Sequence, residues 1–107
     1  MIHELREYVI APGKTAALHR RFQEITCPLF KKHGIHIIGF WNVVIGDTPK
    51  LIYLCAFQDL AHRERAWDAF LNDPEWIQAR EASEKDGALT TRITSTILRP
   101  TAYSPLQ

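Results

Sequence analysis

Several protein classes are excluded by what this sequence has little of. It carries only two cysteines, Cys27 and Cys55. Two thiols cannot build a disulfide scaffold. One falls in an expected helix and the other in an expected core strand, so both read as buried free thiols. Charge of one sign is also missing: 13 Lys and Arg stand against 12 Asp and Glu, for a net charge of +1 spread along the chain. That lacks the basic footprint of a protein that grips a phosphate backbone, so no nucleic acid is expected as a partner. No apolar run approaches the length of a membrane span. His3, Glu4, Arg6 and Glu7 fall within the first seven residues. The start therefore has neither an apolar signal region nor an acid-free transit segment, and a cytoplasmic location is expected. Repeats at solenoid spacing and low-complexity segments are absent too. A chain of 107 residues, 46% hydrophobic and 23% charged, is expected to form one globular domain over residues 1–107, with a proline-containing tail at 100–107.

What the chain does have is concentrated between Gly34 and Phe57. Two arms rich in β-branched and aromatic residues flank Gly46-Asp47-Thr48-Pro49-Lys50. They predict a β-hairpin with a loop of about five residues. In the first arm, Ile35, Ile37, Trp41, Val43 and Ile45 are expected on one face, with Ile38, Phe40 and Val44 on the other. In the second, Leu51, Tyr53, Cys55 and Phe57 alternate with Ile52, Leu54 and Ala56. A strand with one wet face alternates apolar with polar. These do not, so both faces need cover.

The remaining elements supply part of that cover. Ile2 to Ile10 predicts a strand of mixed character. A helix is expected from about Lys14 to His33, with Leu18, Phe22, Ile25 and Leu29 on one stripe. Pro28 inside it cannot donate to the carbonyl of Glu24, which predicts a kink or a break. Gly34 is the natural left-handed stop. Asp59 is expected to cap a helix over Leu60 to Leu71, Pro74 to start another, and Thr90 to Leu98 to form the last strand. The order β-α-β-β-α(α)-β defines an α+β, ferredoxin-like fold: a four-stranded antiparallel sheet with helices on one face. The simplest cover for the other face is a second copy, so a homodimer with a barrel-like core of two sheets is expected.

With these residues in view, the chain resembles the NIPSNAP family within the dimeric α+β barrel group. The matching stretches are Met1-Ile2 with Glu4-Leu5-Arg6 and Tyr8, Pro12-Gly13-Lys14, His33-Gly34-Ile35, Gly39-Phe40-Trp41, Arg63-Glu64-Arg65-Ala66 and Asp73-Pro74-Glu75-Trp76. Leu98-Arg99-Pro100-Thr101 and Ser104-Pro105-Leu106 close the match. His62 departs from the pattern, standing where similar sequences often carry an acid that completes a helix capping box. The resemblance implies the fold and the dimer, and little chemistry, because the family has no generally established activity.

Among candidate sites, Gly13-Lys14-Thr15 looks like the end of a phosphate-binding loop. Tyr8 stands where that motif needs a glycine, leaving a turn and a helix start. His33 and His36 are separated by Gly34, and His3, His19 and His62 share no common spacing, so no metal set is expected. Glu4, Arg6 and Tyr8 are the better candidates. Alternation puts them on one face of a central strand, where charge is costly to bury unless paired. They predict either an Arg that binds an anion, with Glu as base and Tyr as donor, or an ion pair reaching Arg92 and Thr94 on the neighbouring strand. Trp41, Trp67 and Trp76, with Tyr53 and Phe57, line an apolar pocket in the first reading and are simple core in the second. No catalytic triad spacing and no cofactor motif is present. Three functions follow as expectations: a homodimer binding a small, partly apolar ligand; a cofactor-independent monooxygenase or isomerase acting on an aromatic or acidic metabolite; and an adaptor docking another protein through Tyr103 and Leu106.

Overall fold

The computed structural model describes residues 1–107. Its elements are β1 (Ile2–Ile10), α1 (Thr15–Arg21), a π-helical segment (Phe22–Thr26), α2 (Cys27–Lys32), β2 (His36–Asn42), β3 (Lys50–Phe57), α3 (Leu60–Leu71), α4 (Pro74–Ser83) and β4 (Thr90–Leu98). The four strands form one antiparallel sheet in the order β2-β3-β1-β4. The α+β ferredoxin-like architecture is therefore present, with β1 and β3 central.

Pro28 shows how the sequence shapes the long helix. It has no N–H to offer, yet the helix neither breaks nor stops. The chain widens by one residue per turn instead, and the Cys27 N–H bonds the Phe22 carbonyl, five residues back. The helix ends where expected. Gly34 adopts φ +74°, its N–H reaching the Lys31 carbonyl and that of Ile35 the Phe30 carbonyl, a Schellman stop. Asp59 caps α3 by accepting from the His62 N–H at 2.8 Å, and Asp73 caps α4 by accepting from the Glu75 N–H at 2.9 Å.

The helices bury the β1 face that carries Glu4, Arg6 and Tyr8. Leu18, Phe22, Leu29 and Phe30 pack with Trp67, Phe70 and Trp76 onto Tyr8, Leu51, Tyr53, Cys55 and Phe57. Each fully buried apolar side chain contributes about 1.5–3 kcal/mol. The cover is incomplete over β4. Ile93 and Ile97 lie on the helix side, opposite Tyr8 and Glu4, but are 49% and 41% exposed.

The hairpin differs from expectation in two ways. Strand β2 ends at Asn42, so the connection runs over residues 43–49 instead of Gly46 to Lys50, and Val44 and Ile45 stand in solvent. A bulge also shifts the register between Ile37 and Gly39. Ile37 lies opposite Cys55 on the helix side, but after the extra residue Phe40 lies opposite Tyr53 and Trp41 opposite Ile52. Phe40, and not Trp41, therefore turns to the helix side, where it packs on Phe22 and Tyr53 at ring separations of 5.7 and 5.1 Å while staying 36% exposed at the sheet edge.

Candidate functional site

Strand β1 places Glu4 at the bottom of the space between sheet and helices, fully buried. Five donors converge on its carboxylate. Oε1 accepts from Arg63 Nε at 2.7 Å and Trp67 Nε1 at 2.8 Å, and Oε2 accepts from Arg63 Nη2 and Arg6 Nη1, each at 3.1 Å, and from Ser95 Oγ. Burial raises the carboxyl pKa, but the bonds from Arg63, Ser95 and Trp67 and the charge of Arg6 outweigh it and hold the group at about 2. Its lone pairs are spent. Arg92 and Thr94 take no part, since they pair with Val9 and Glu7 on the opposite face. The neighbours that satisfy Glu4 are Ser95, which pairs with Arg6 in β4, and Arg63, one helical turn before Trp67.

Arg6 stands next along the strand. Its Nε donates to the Tyr53 hydroxyl at 2.8 Å and its Nη2 to that of Tyr8 at 3.2 Å. The guanidinium lies 4.4 Å from the ring centre of Trp67. A guanidinium has five N–H groups. Three are bonded to Tyr53, Glu4 and Tyr8, which leaves one on each terminal nitrogen. Burial opposes the charge, but the Tyr8 and Tyr53 oxygens and Glu4 more than offset it and raise the Arg6 pKa.

The two tyrosines can be assigned by counting protons. Their oxygens lie 2.8 Å apart, and Tyr53 is wholly buried. Burial pushes the Tyr53 phenol well above its ordinary range, so it keeps its proton. The one acceptor within its reach is Tyr8, so Tyr53 donates and Tyr8 accepts. The Tyr8 proton is left for the cavity.

That cavity holds about 270 Å³ and is lined by 15 residues, among them Arg6, Tyr8, Phe22, Trp67, Trp76 and Ile93. Of the six candidates, Arg6, Tyr8, Trp67 and Trp76 line this cavity, and Glu4 lies sealed beneath it, bonded to Arg6 and Trp67. Trp41 does neither. The β2 bulge turns it toward Ile52, and it borders a separate groove of about 340 Å³ with His19, Gln23 and Asn42. Arg63 was absent from the candidates, although its spacing four residues before Trp67 put both on one helix face. Arg21 and Glu84, which also line the cavity, had no sequence signal. No group of three His, Cys, Asp or Glu side chains converges anywhere. His33 bonds Asp73 at 2.7 Å, as does Lys32 at 3.0 Å. Cys55 is buried and Cys27 half-buried. Tyr103 and Leu106 are exposed in the tail, and no helix is long and apolar enough to cross a membrane.

The family model for NIPSNAP matches residues 3–105. The chain belongs to the NIPSNAP family. A NIPSNAP family protein of Agrobacterium tumefaciens has a similar solved structure, with a TM-score of 0.89 at 24% identity, covering 99% of this chain and 98% of that one. An uncharacterized NIPSNAP-like domain protein of Burkholderia xenovorans is 25% identical with a TM-score of 0.85, covering 97% and 88%. More distantly, a putative antibiotic biosynthesis monooxygenase of Nitrosomonas europaea shares the fold at 12% identity and a TM-score of 0.64, over 96% of this chain and all of that one. No curated protein matches. The NIPSNAP relatives carry no stated activity, so chemistry must come from the cavity itself.

Proposed function

We propose that this NIPSNAP protein binds a small acid with an apolar body in the cavity between sheet and helices, acting as a homodimer. One observation carries the reading: beside Arg6 the cavity offers donors and no acceptor. Glu4 is saturated by five donors, the Tyr8 oxygen already accepts from Arg6 and Tyr53, and two Arg6 N–H groups and the Tyr8 O–H remain. An amine or amide would oppose donor to donor; a carboxylate or other oxyanion completes the set. Trp67, Trp76 and Phe22 give the body an aromatic wall. The volume suits a small metabolite.

A second reading, a cofactor-independent monooxygenase or isomerase, uses the same three donors to stabilise an enolate-like oxygen. The Nitrosomonas protein lends it support through fold alone. Binding is favoured because the carboxylate beside Arg6 has no lone pair free to take a proton.

The dimer rests on the sheet face turned from the helices. Trp41 is 51% and Leu98 41% exposed there, with half-buried Leu5, Val9, Ile52 and Leu54 between them. A second copy of the same face covers that surface by two-fold symmetry.

Titration calorimetry with benzoate, phenylacetate and 3-phenylpropionate, against the matching amides, tests the ligand class. Acids should bind and amides should not. Arg6→Gln should weaken the acids roughly 10- to 100-fold, the worth of a charged hydrogen bond. Equal binding of acids and amides, or no effect of Arg6→Gln, rules the reading out.

A further inference from the structure

The cavity carries a second guanidinium. Arg21 of α1 is 8% exposed and lies 5.0 Å from the ring centre of Trp76. Trp76 packs on Phe70 at 4.7 Å, Phe70 on Trp67 at 5.8 Å, and Trp67 on Arg6 at 4.4 Å. The three aromatic rings thus form a continuous row with an arginine against each end, and all five side chains line the same cavity.

Arg21 is not fully satisfied. Its Nη1 donates to Ser83 Oγ at 3.1 Å and to Glu84 Oε2 at 2.8 Å, while its Nε is buried with no partner. A buried donor left without a partner is costly, so it needs a reason. Glu84 Oε2 is shared with Arg80 Nε at 3.5 Å. Glu84 caps the C-terminal end of α4 just after Ser83, leads into the turn at Lys85 to Gly87, and is more open than Arg21, with side-chain exposures of 24% and 7%. It is a partly exposed carboxylate held between two arginines.

We propose that Arg21 and Arg80 form a second anion subsite, in which Glu84 occupies the place of the ligand's own second acidic group. The ligand class is then a diacid with an aromatic-sized spacer, one carboxylate on Arg6 and the other displacing Glu84 to meet Arg21. This rests on the Arg6 reading above and extends it. Charge supports it: Arg6, Arg21 and Arg80 face the cavity against Glu84 alone, because Glu4 is sealed below.

The test compares each aromatic monoacid with its 1,4-diacid: benzoate with terephthalate, phenylacetate with 1,4-phenylenediacetate, and 3-phenylpropionate with 1,4-phenylenedipropionate. Varying the arms samples the spacing between the arginines. Calorimetry on the intact protein should show at least one diacid binding about tenfold more tightly than its monoacid, a charged hydrogen bond's share. Glu84→Gln should widen that ratio severalfold by removing the competing charge, while its amide oxygen can still accept from the buried Arg21 Nη1. Arg21→Gln should collapse the ratio while leaving monoacid binding within about threefold, which also shows that the variant is folded. A ratio near one in wild type and Glu84→Gln, with monoacids binding normally, overturns the second subsite and leaves Arg6 standing. Equal weakening of both classes by Arg21→Gln also overturns it. Binding of neither class removes the Arg6 reading and this one with it.

Discussion

The hydroxyls of Tyr53 and Tyr8 lie 2.8 Å apart, Tyr53 the donor by the proton count above, and only Tyr8 of the pair borders the cavity. The two similar residues therefore have different duties. Tyr8→Phe removes a donor to the proposed ligand and leaves the Tyr53 O–H without an acceptor. It should weaken phenylacetate binding about tenfold and cost stability of about 1–3 kcal/mol. Tyr53→Phe takes the acceptor from Arg6 Nε, with a similar stability cost, but it leaves the Tyr8 proton in the cavity and should change affinity by less than about threefold. Calorimetry with denaturant melts separates the two. Equal loss of affinity in both variants would show that the proton assignment is wrong.

Glu4 makes folding sensitive to acid. Its carboxyl titrates at about 2 in the folded protein against an ordinary 4.5. The folded state therefore favours the ionised form, and the stabilisation is complete above about pH 4.5. It falls as the pH drops toward 2, where the unfolded chain binds the proton first. A shift of that size corresponds to about 3 kcal/mol. Urea melts from pH 6 to pH 2.5 should show wild type losing most of that amount. Glu4→Gln should be 3–5 kcal/mol less stable at neutral pH, because Arg6 and Arg63 lose their buried counter-ion, and it should lack this part of the acid dependence. A parallel pH profile in the variant would place the sensitivity elsewhere.

Where the sequence was readable, a strict period made it so. Alternation along β1 put Glu4, Arg6 and Tyr8 on one face, and that face is the one the helices cover. The order of elements, the Gly34 stop and the Asp59 cap likewise follow from local chemistry. The β2 bulge was hidden by the feature that made the hairpin conspicuous. With apolar residues on both faces, an extra residue at Ile38 leaves no polar side chain out of place, so the phase change that removes Trp41 from the cavity has no signature. The π-helical turn was half legible: Pro28 announces a missing donor, but not whether the helix bends or widens. Arg21 and Glu84 meet across 63 positions, and no local rule joins residues so far apart.

Asp73 ties the end of α2 to the start of α4. It bonds His33 Nε2 and Lys32 Nζ while capping the Glu75 N–H. The His33 bond, the Lys32 bond and the cap together hold its carboxyl well below the usual 3.8. That contribution is present above about pH 4 and declines as acid protonates the unfolded chain. Asp73→Asn keeps a good cap and removes the charge, so it isolates the pair. It should lower the melting temperature by about 2–5 °C at pH 7, with the difference from wild type shrinking below pH 4. A constant difference across that range would assign the loss to the cap.

Leu54 lies opposite Leu5, at the middle of the sheet face turned away from the helices. A lysine there would set a charge against its own copy across a two-fold axis, where neither has a partner. Its stem can still lie along the sheet of a separated protomer, with the ammonium in water. Wild type should sediment as a dimer at micromolar concentration, and Leu54→Lys should sediment as a monomer. Because the cavity opens on the other face, the variant should keep its phenylacetate affinity within about threefold if the subunit stays folded. A wild-type chain that sediments as a monomer would leave the apolar face without the cover assigned to it. A dimer that survives Leu54→Lys unchanged would move the interface off this face, to the exposed Val44 and Ile45 of the hairpin loop as the next surface to alter.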